Sequence, residues 1–145
     1  MNTKDLQSRI ESAWETRDTL DKGDSALRAA VETTIGLLDQ GRIRVAQPVE
    51  SGPQETQHPV APAALGLPAQ RWHVNEWIKK AVLLYFRLHD NEAIFIHDLM
   101  GYDKVPLKFG SWTAEDFAKQ GARVVPPAAV RKGAYIAPGA ILMPS

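Results

Sequence analysis

The chain has 145 residues, with 17 basic and 17 acidic side chains and no cysteine. Balanced charge excludes a bulk electrostatic attraction to nucleic acid or to an anionic membrane, and the missing thiols exclude disulfides, thiolate catalysis and Cys-type zinc sites. The length suits one ordinary domain, or a small domain and the beginning of a second, and a reducing cytoplasm is compatible with a chain that lacks cysteine.

The N-terminal run MNTKDLQSRIESAWETR carries charge every few residues and lacks the apolar core of a signal peptide. Its Leu6, Ile10, Ala13 and Trp14 fall at helical spacing, which predicts an amphipathic helix of about four turns. DSALRAAVETTIGLLDQG places Leu27, Val31, Ile35 and Leu38 on one stripe, with Asp24 or Ser25 as N-cap and Gly41 just past the end. Two such stripes can pack as an antiparallel pair. RIRVAQ, from Arg42 to Gln47, alternates polar and apolar residues and predicts a half-buried strand, matched by QRWHV at 70–74. Residues 48–70 between them are rich in proline and read as a long exposed hairpin loop.

A third helix is predicted over 75–88, apolar nearly all round at its centre and therefore the most buried element. Its apolar run AVLLYF, 81–86, is too short to span a bilayer, so no membrane partner is expected. AIFIHD predicts a short strand and GYDKVPLKF an extended stretch punctuated by Pro106. TAEDFAKQG sets Thr113 three residues ahead of Asp116, close to a capping box, and ends at Gly121, which predicts a short fourth helix.

The tail repeats with a period of six. Aligning VVPPAA, VRKGAY and IAPGAI puts Val124, Val130 and Ile136 in one column, Pro127, Gly133 and Gly139 in a second, and Ala128, Ala134 and Ala140 in a third; LMPS opens a fourth unit. An inward aliphatic residue, a turn residue and a small corner residue are what each side of a triangular solenoid requires. Three units make one coil, residues 124–141. The alternative is a Pro/Ala-rich extended tail. One coil cannot satisfy its own backbone, so the repeat is expected to run on past Ser145, or its open edge to be covered by another chain.

WIKKAVLLYFRL at 77–88, YDKVPLKF at 102–109 and GARVVPPAAVRKGAYIAPGAILMPS at 121–145 resemble the tetrahydrodipicolinate N-succinyltransferase family, a member of the hexapeptide-repeat transferases. The resemblance covers the chain except the 48–70 loop, which is longer than expected. It implies an α+β architecture: a mainly helical N-terminal domain over 1–122, then at 123–145 the first coil of a left-handed parallel β-helix, truncated here. It further implies a cytoplasmic homotrimer that moves a succinyl group from succinyl-CoA to tetrahydrodipicolinate on the diaminopimelate route to lysine, without a metal. The fragment alone is expected to be inactive. Two alternatives stay open: an N-acetyltransferase acting on the same substrate, and a non-catalytic folding and trimerisation module.

The residues themselves form no catalytic constellation, and the resemblance places acid–base and CoA-contacting groups on later coils. His58, His73, His89 and His97 have no metal-ligand spacing and read as structural or surface histidines. Asp103 reads as a cap or ion-pair partner of the turn before Pro106. Arg123 is the candidate substrate-binding residue: it stands where the helical part meets the coil, a dicarboxylate calls for a planar fork of donors, and the resemblance assigns it that role. The competing reading pairs it with Asp116 or Glu115 on the preceding helix. Lys79, Lys80, Lys104 and Lys108 could attract an anion, with ion-paired or solvated lysine as the default.

Overall fold

The computed structural model describes residues 2–49, 72–96 and 99–144. In chain order these form α1 (Thr3–Glu15), α2 (Ser25–Asp39), β1 (Ala46–Pro48), β2 (Trp72–Val74), α3 (Glu76–Leu88), β3 (Glu92–Ile96), β4 (Leu99–Asp103), α4 (Ala114–Gln120), β5 (Arg123–Val124) and β6 (Ile141–Leu142).

Helices α1, α2 and α3 pack together, and the expected stripes are the faces they bury. Leu6 and Ile10 of α1 meet Leu27, Val31 and Ile35 of α2 and Ile78, Leu84 and Leu88 of α3 in one core. Each such side chain contributes about 1.5–3 kcal/mol when fully removed from water. Thr34 is the buried polar member, and its hydroxyl donates to Ala30 O at 2.9 Å, so its burial leaves nothing unpaired. Helix α3 contributes the most core residues, yet its apolar centre is not buried all round: Leu83 is 48% exposed.

Asp24, rather than Ser25, caps α2, accepting from the Ala26 and Leu27 amides. At the other end Gly41 adopts φ 70°, with Gly41 N–H on Leu38 O and Arg42 N–H on Leu37 O, both 2.9 Å. This is the Schellman closure expected of a C′ glycine. It also corrects the strand expected over Arg42–Gln47. Arg42 is spent on closing the helix, while the Arg44 and Val45 carbonyls accept from the Asn75 side chain and amide. Pairing therefore begins at Ala46, opposite Val74. Ile43 and Val45 still pack against the core, so the alternation marked burial correctly and secondary structure wrongly. Most of the 48–70 loop lies outside the described residues.

The short strand expected after α3 is present as β3, but part of the stretch expected to be merely extended pairs with it. β3 and β4 form an antiparallel hairpin, Glu92 opposite Asp103 through Ile96 opposite Leu99. Val105, just beyond, inserts into the helical core.

In the tail, three turns recur at intervals of six. The Ala128, Ala134 and Ala140 amides donate to Val125 O, Arg131 O and Ala137 O at 2.9, 3.3 and 3.2 Å. Their corner residues are Pro127, after a cis peptide bond, Gly133 at φ 99° and Gly139 at φ 80°. Val124, Val130 and Ile136 are each partly buried. β5 pairs with β6 in parallel, Arg123 opposite Ile141 and Val124 opposite Leu142, eighteen residues apart in each case.

Candidate functional site

The approach to Arg123 is built by α4. The Thr113 amide and hydroxyl both donate to Asp116 Oδ2, at 2.7 and 2.8 Å, closing the expected capping box. These bonds hold the Asp116 carboxyl below its ordinary pKa, the Thr113 amide contributing most and its hydroxyl next. Phe117 packs in an aromatic cluster with Phe109 and Trp112, at ring-centroid distances of 5.2 Å to each. Gly121, at φ 72°, then reverses the chain into β5.

Arg123 is fixed through its backbone, with its amide donating to Ala140 O at 2.9 Å, and its side chain is exposed. It borders an open groove of about 470 Å³ lined by Phe117, Ala118, Gly121, Ala122, Arg123 and Val124. The lining carries one formal charge and no carboxylate or imidazole. An exposed guanidinium on a fixed strand beside such a groove can donate two parallel hydrogen bonds to a carboxylate. It supplies no proton transfer. The competing expectation, a bond to Asp116 or Glu115, is not met: among the described residues the ion pairs do not include Arg123.

The other candidates are engaged elsewhere. Asp103 pairs with Arg131, Oδ2 to Nε at 2.8 Å. Lys104 Nζ donates to Phe86 O at 2.9 Å and so satisfies the last turn of α3, an end where a cation is favoured. The Lys108 side chain is 6% exposed, with Nζ 2.8 Å from Asp39 Oδ1 and 3.1 Å from Asp39 O at the end of α2. His89 stacks on Tyr85 at 3.8 Å and bridges Tyr85 O to Glu32 Oε1, both 3.0 Å. Burial, followed by the Glu32 and Glu92 charges, raises the Tyr85 phenol further above its ordinary value. His73 lies on β2, exposed, and His58 and His97 fall outside the described residues. Among the described residues no cluster of His, Asp and Glu could hold a metal, and no helix is long and apolar enough to cross a membrane. Lys104 and Lys108 thus do not converge on Arg123.

Two side chains the sequence reading passed over tie this region together. Gln120 Nε2 donates to Ile136 O at 2.6 Å, binding the end of α4 to the third unit of the repeat. Asp39 Oδ1 accepts the Gly133 amide at 2.8 Å as well as Lys108. Asp39 was detectable: an acidic residue in the last turn of a helix opposes the helix dipole unless partners come from outside.

The family model described as tetrahydrodipicolinate N-succinyltransferase N-terminal matches residues 5–88. The chain is 47% identical over 143 residues to a protein of Aeromonas salmonicida named 2,3,4,5-tetrahydropyridine-2,6-dicarboxylate N-succinyltransferase, covering 97% of this chain and 45% of that relative. Proteins of the same name from Bordetella petrii, 46% identical over 145 residues, and Cupriavidus metallidurans, 45% identical over 146, are each matched over 99% of this chain and 46% of their own length. The chain therefore spans about half the length of the curated relatives it matches.

Proposed function

The chain belongs to the tetrahydrodipicolinate N-succinyltransferase N-terminal family, and from that premise we propose that it is the N-terminal portion of an acyltransferase that moves succinyl from succinyl-CoA to the amino group of ring-opened tetrahydrodipicolinate, on the diaminopimelate route to lysine. The observation that carries this is identity of 45–47% along almost the whole chain to relatives that bear that name. The amine lone pair attacks the thioester carbonyl, the C–S bond breaks, and the proton lost by nitrogen leaves with the CoA thiol. Nothing in the groove beside Arg123 can carry that proton. The acid and base belong on coils that follow in a complete enzyme, and residues 1–122 with the first coil orient the dicarboxylate.

The six-residue turn period and the parallel pairing of positions eighteen apart support reading 124–141 as one coil of a parallel β-helix, whose left hand is implied by the family alone. Assembly as a cytoplasmic homotrimer, with further coils in place, is part of the same proposal and rests on the family alone. In this reading Arg123 holds one carboxylate of tetrahydrodipicolinate. In a protein completed to the length of its relatives, Arg123→Ala should raise KM for the dicarboxylate at least tenfold, since a charge-assisted bond is worth about 1.5–3 kcal/mol. KM for succinyl-CoA should stay near its starting value. An unchanged KM for the dicarboxylate removes Arg123 from the site, and failure of the complete protein to consume succinyl-CoA removes the activity itself.

A further inference from the structure

Three turns that recur every six residues pose a problem of register. The strap Pro106–Lys108 runs antiparallel along the second unit of the tail, with Lys108 N–H on Val130 O at 2.8 Å, Lys132 N–H on Pro106 O at 2.9 Å and Leu107 opposite Arg131. Those bonds are backbone only. A slip of six residues either way would set Pro126 or Pro138, which have no N–H, in the place of Lys132, so it would keep at most the bond made by Lys108 N–H; backbone pairing disfavours the slip without forbidding it. Pairing that is not specified by side chains is prone to slip.

Side chains that break the repeat meet the helical part at this unit. Arg131 pairs with Asp103, where the equivalent residues Val125 and Ala137 cannot. The Gly133 amide bonds Asp39 Oδ1, where the equivalent Pro127 has no N–H to give. The Tyr135 ring lies against Gly41, so closely that a Cβ on Gly41 would be 2.6 Å from Tyr135 Cδ2. The equivalents of Tyr135, Ala129 and Ile141, offer no such ring. We propose that Asp39, Gly41 and Asp103 form a register key that admits the second unit of the repeat and rejects the first and third, and so decides where Arg123 stands relative to the helices. The three are positioning residues. The inference rests on the observed turn period and holds whatever chemistry the chain performs.

Because the chain has no cysteine, introduced pairs report register directly. Leu107 and Arg131 form the non-hydrogen-bonded kind of antiparallel pair, with Cα atoms about 4.5 Å apart, a span a disulfide can bridge. Leu107→Cys would be combined in separate chains with Val125→Cys, Arg131→Cys or Ala137→Cys and equilibrated in a glutathione buffer. Although Arg131→Cys itself removes the ion pair to Asp103, the Asp39 and Tyr135 contacts remain, and the 131 pair should cross-link at least ten times more than the other two. Adding Asp39→Ala, Asp103→Asn and Tyr135→Ala to each should raise the 125 and 137 cross-links at least fivefold while the 131 cross-link falls. Cross-linking that stays with 131 overturns the key, and so does a joint fall at all three positions, which reduces the contacts to adhesion. Should Asp39→Ala unfold the helices by circular dichroism, Asp103→Asn with Tyr135→Ala leaves Lys108 its partner and must shift the distribution the same way. An unshifted distribution there also overturns the proposal.

Discussion

Asp39 ends α2 at the negative pole of the helix, where a carboxylate by itself is repelled. Lys108 and the Gly133 amide reverse that balance by arriving from far along the chain. Asp116 is the opposite case, a carboxylate near a helix start whose partner Thr113 is three residues away. Its folded pKa lies below the ordinary 3.8. The stabilisation it gives is therefore present above that ordinary value and is lost as pH falls through the lower, folded one. Carboxyl titration by NMR should place the Asp116 midpoint below 3.8. Thr113→Ala should move it part of the way back, because the hydroxyl is lost and the backbone donor stays. A midpoint unmoved by Thr113→Ala would show that the hydroxyl does not bind the carboxylate. The capping of α4 was legible in the sequence because both partners are local, and the role of Asp39 was not because its partners are 69 and 94 residues away.

At the scale of elements, two glycines close helices in the left-handed conformation, and their surroundings differ. An added Cβ on Gly121 would meet nothing nearer than 3.8 Å, whereas on Gly41 it would strike the Tyr135 ring. Gly121→Ala should cost about 1–2 kcal/mol, the price of that conformation for an L-residue. Gly41→Ala should cost more, and Tyr135→Ala in the same chain should recover part of the excess. Urea denaturation measures all three, and equal losses at the two glycines would refute the contact with Tyr135. The positions of both glycines were readable from helix periodicity followed by a break. The ring against Gly41 was not, since nothing local links residues 41 and 135. The β3–β4 hairpin escaped for a similar reason: strand pairing is a choice between partners, and no Asn-Gly or Asp-Gly turn announced it.

For the molecule as a whole, stability resides in the three-helix core, and adjacent leucines of α3 separate it from the surface. Leu84 is fully buried and Leu83 is 48% exposed. Leu84→Ala should cost about 2–5 kcal/mol in chemical denaturation, and Leu83→Ala about 0.5 kcal/mol or less. Similar losses at both would mean that Leu83 is covered by something other than the helices described. The sequence by itself determined the helical stripes, their caps and the six-residue turn period of the tail, because each depends on residues within one or two turns of each other. It also singled out Arg123, through its place between α4 and the repeat. The tertiary structure decided that Arg123 borders an open groove while Lys104 and Lys108 are drawn off to helix ends. It also decided that the tail meets α2 through its second unit and α4 through its third. Those outcomes depend on contacts between residues far apart in the chain, and a local pattern carries no information about which distant partner a charge or a strand will find.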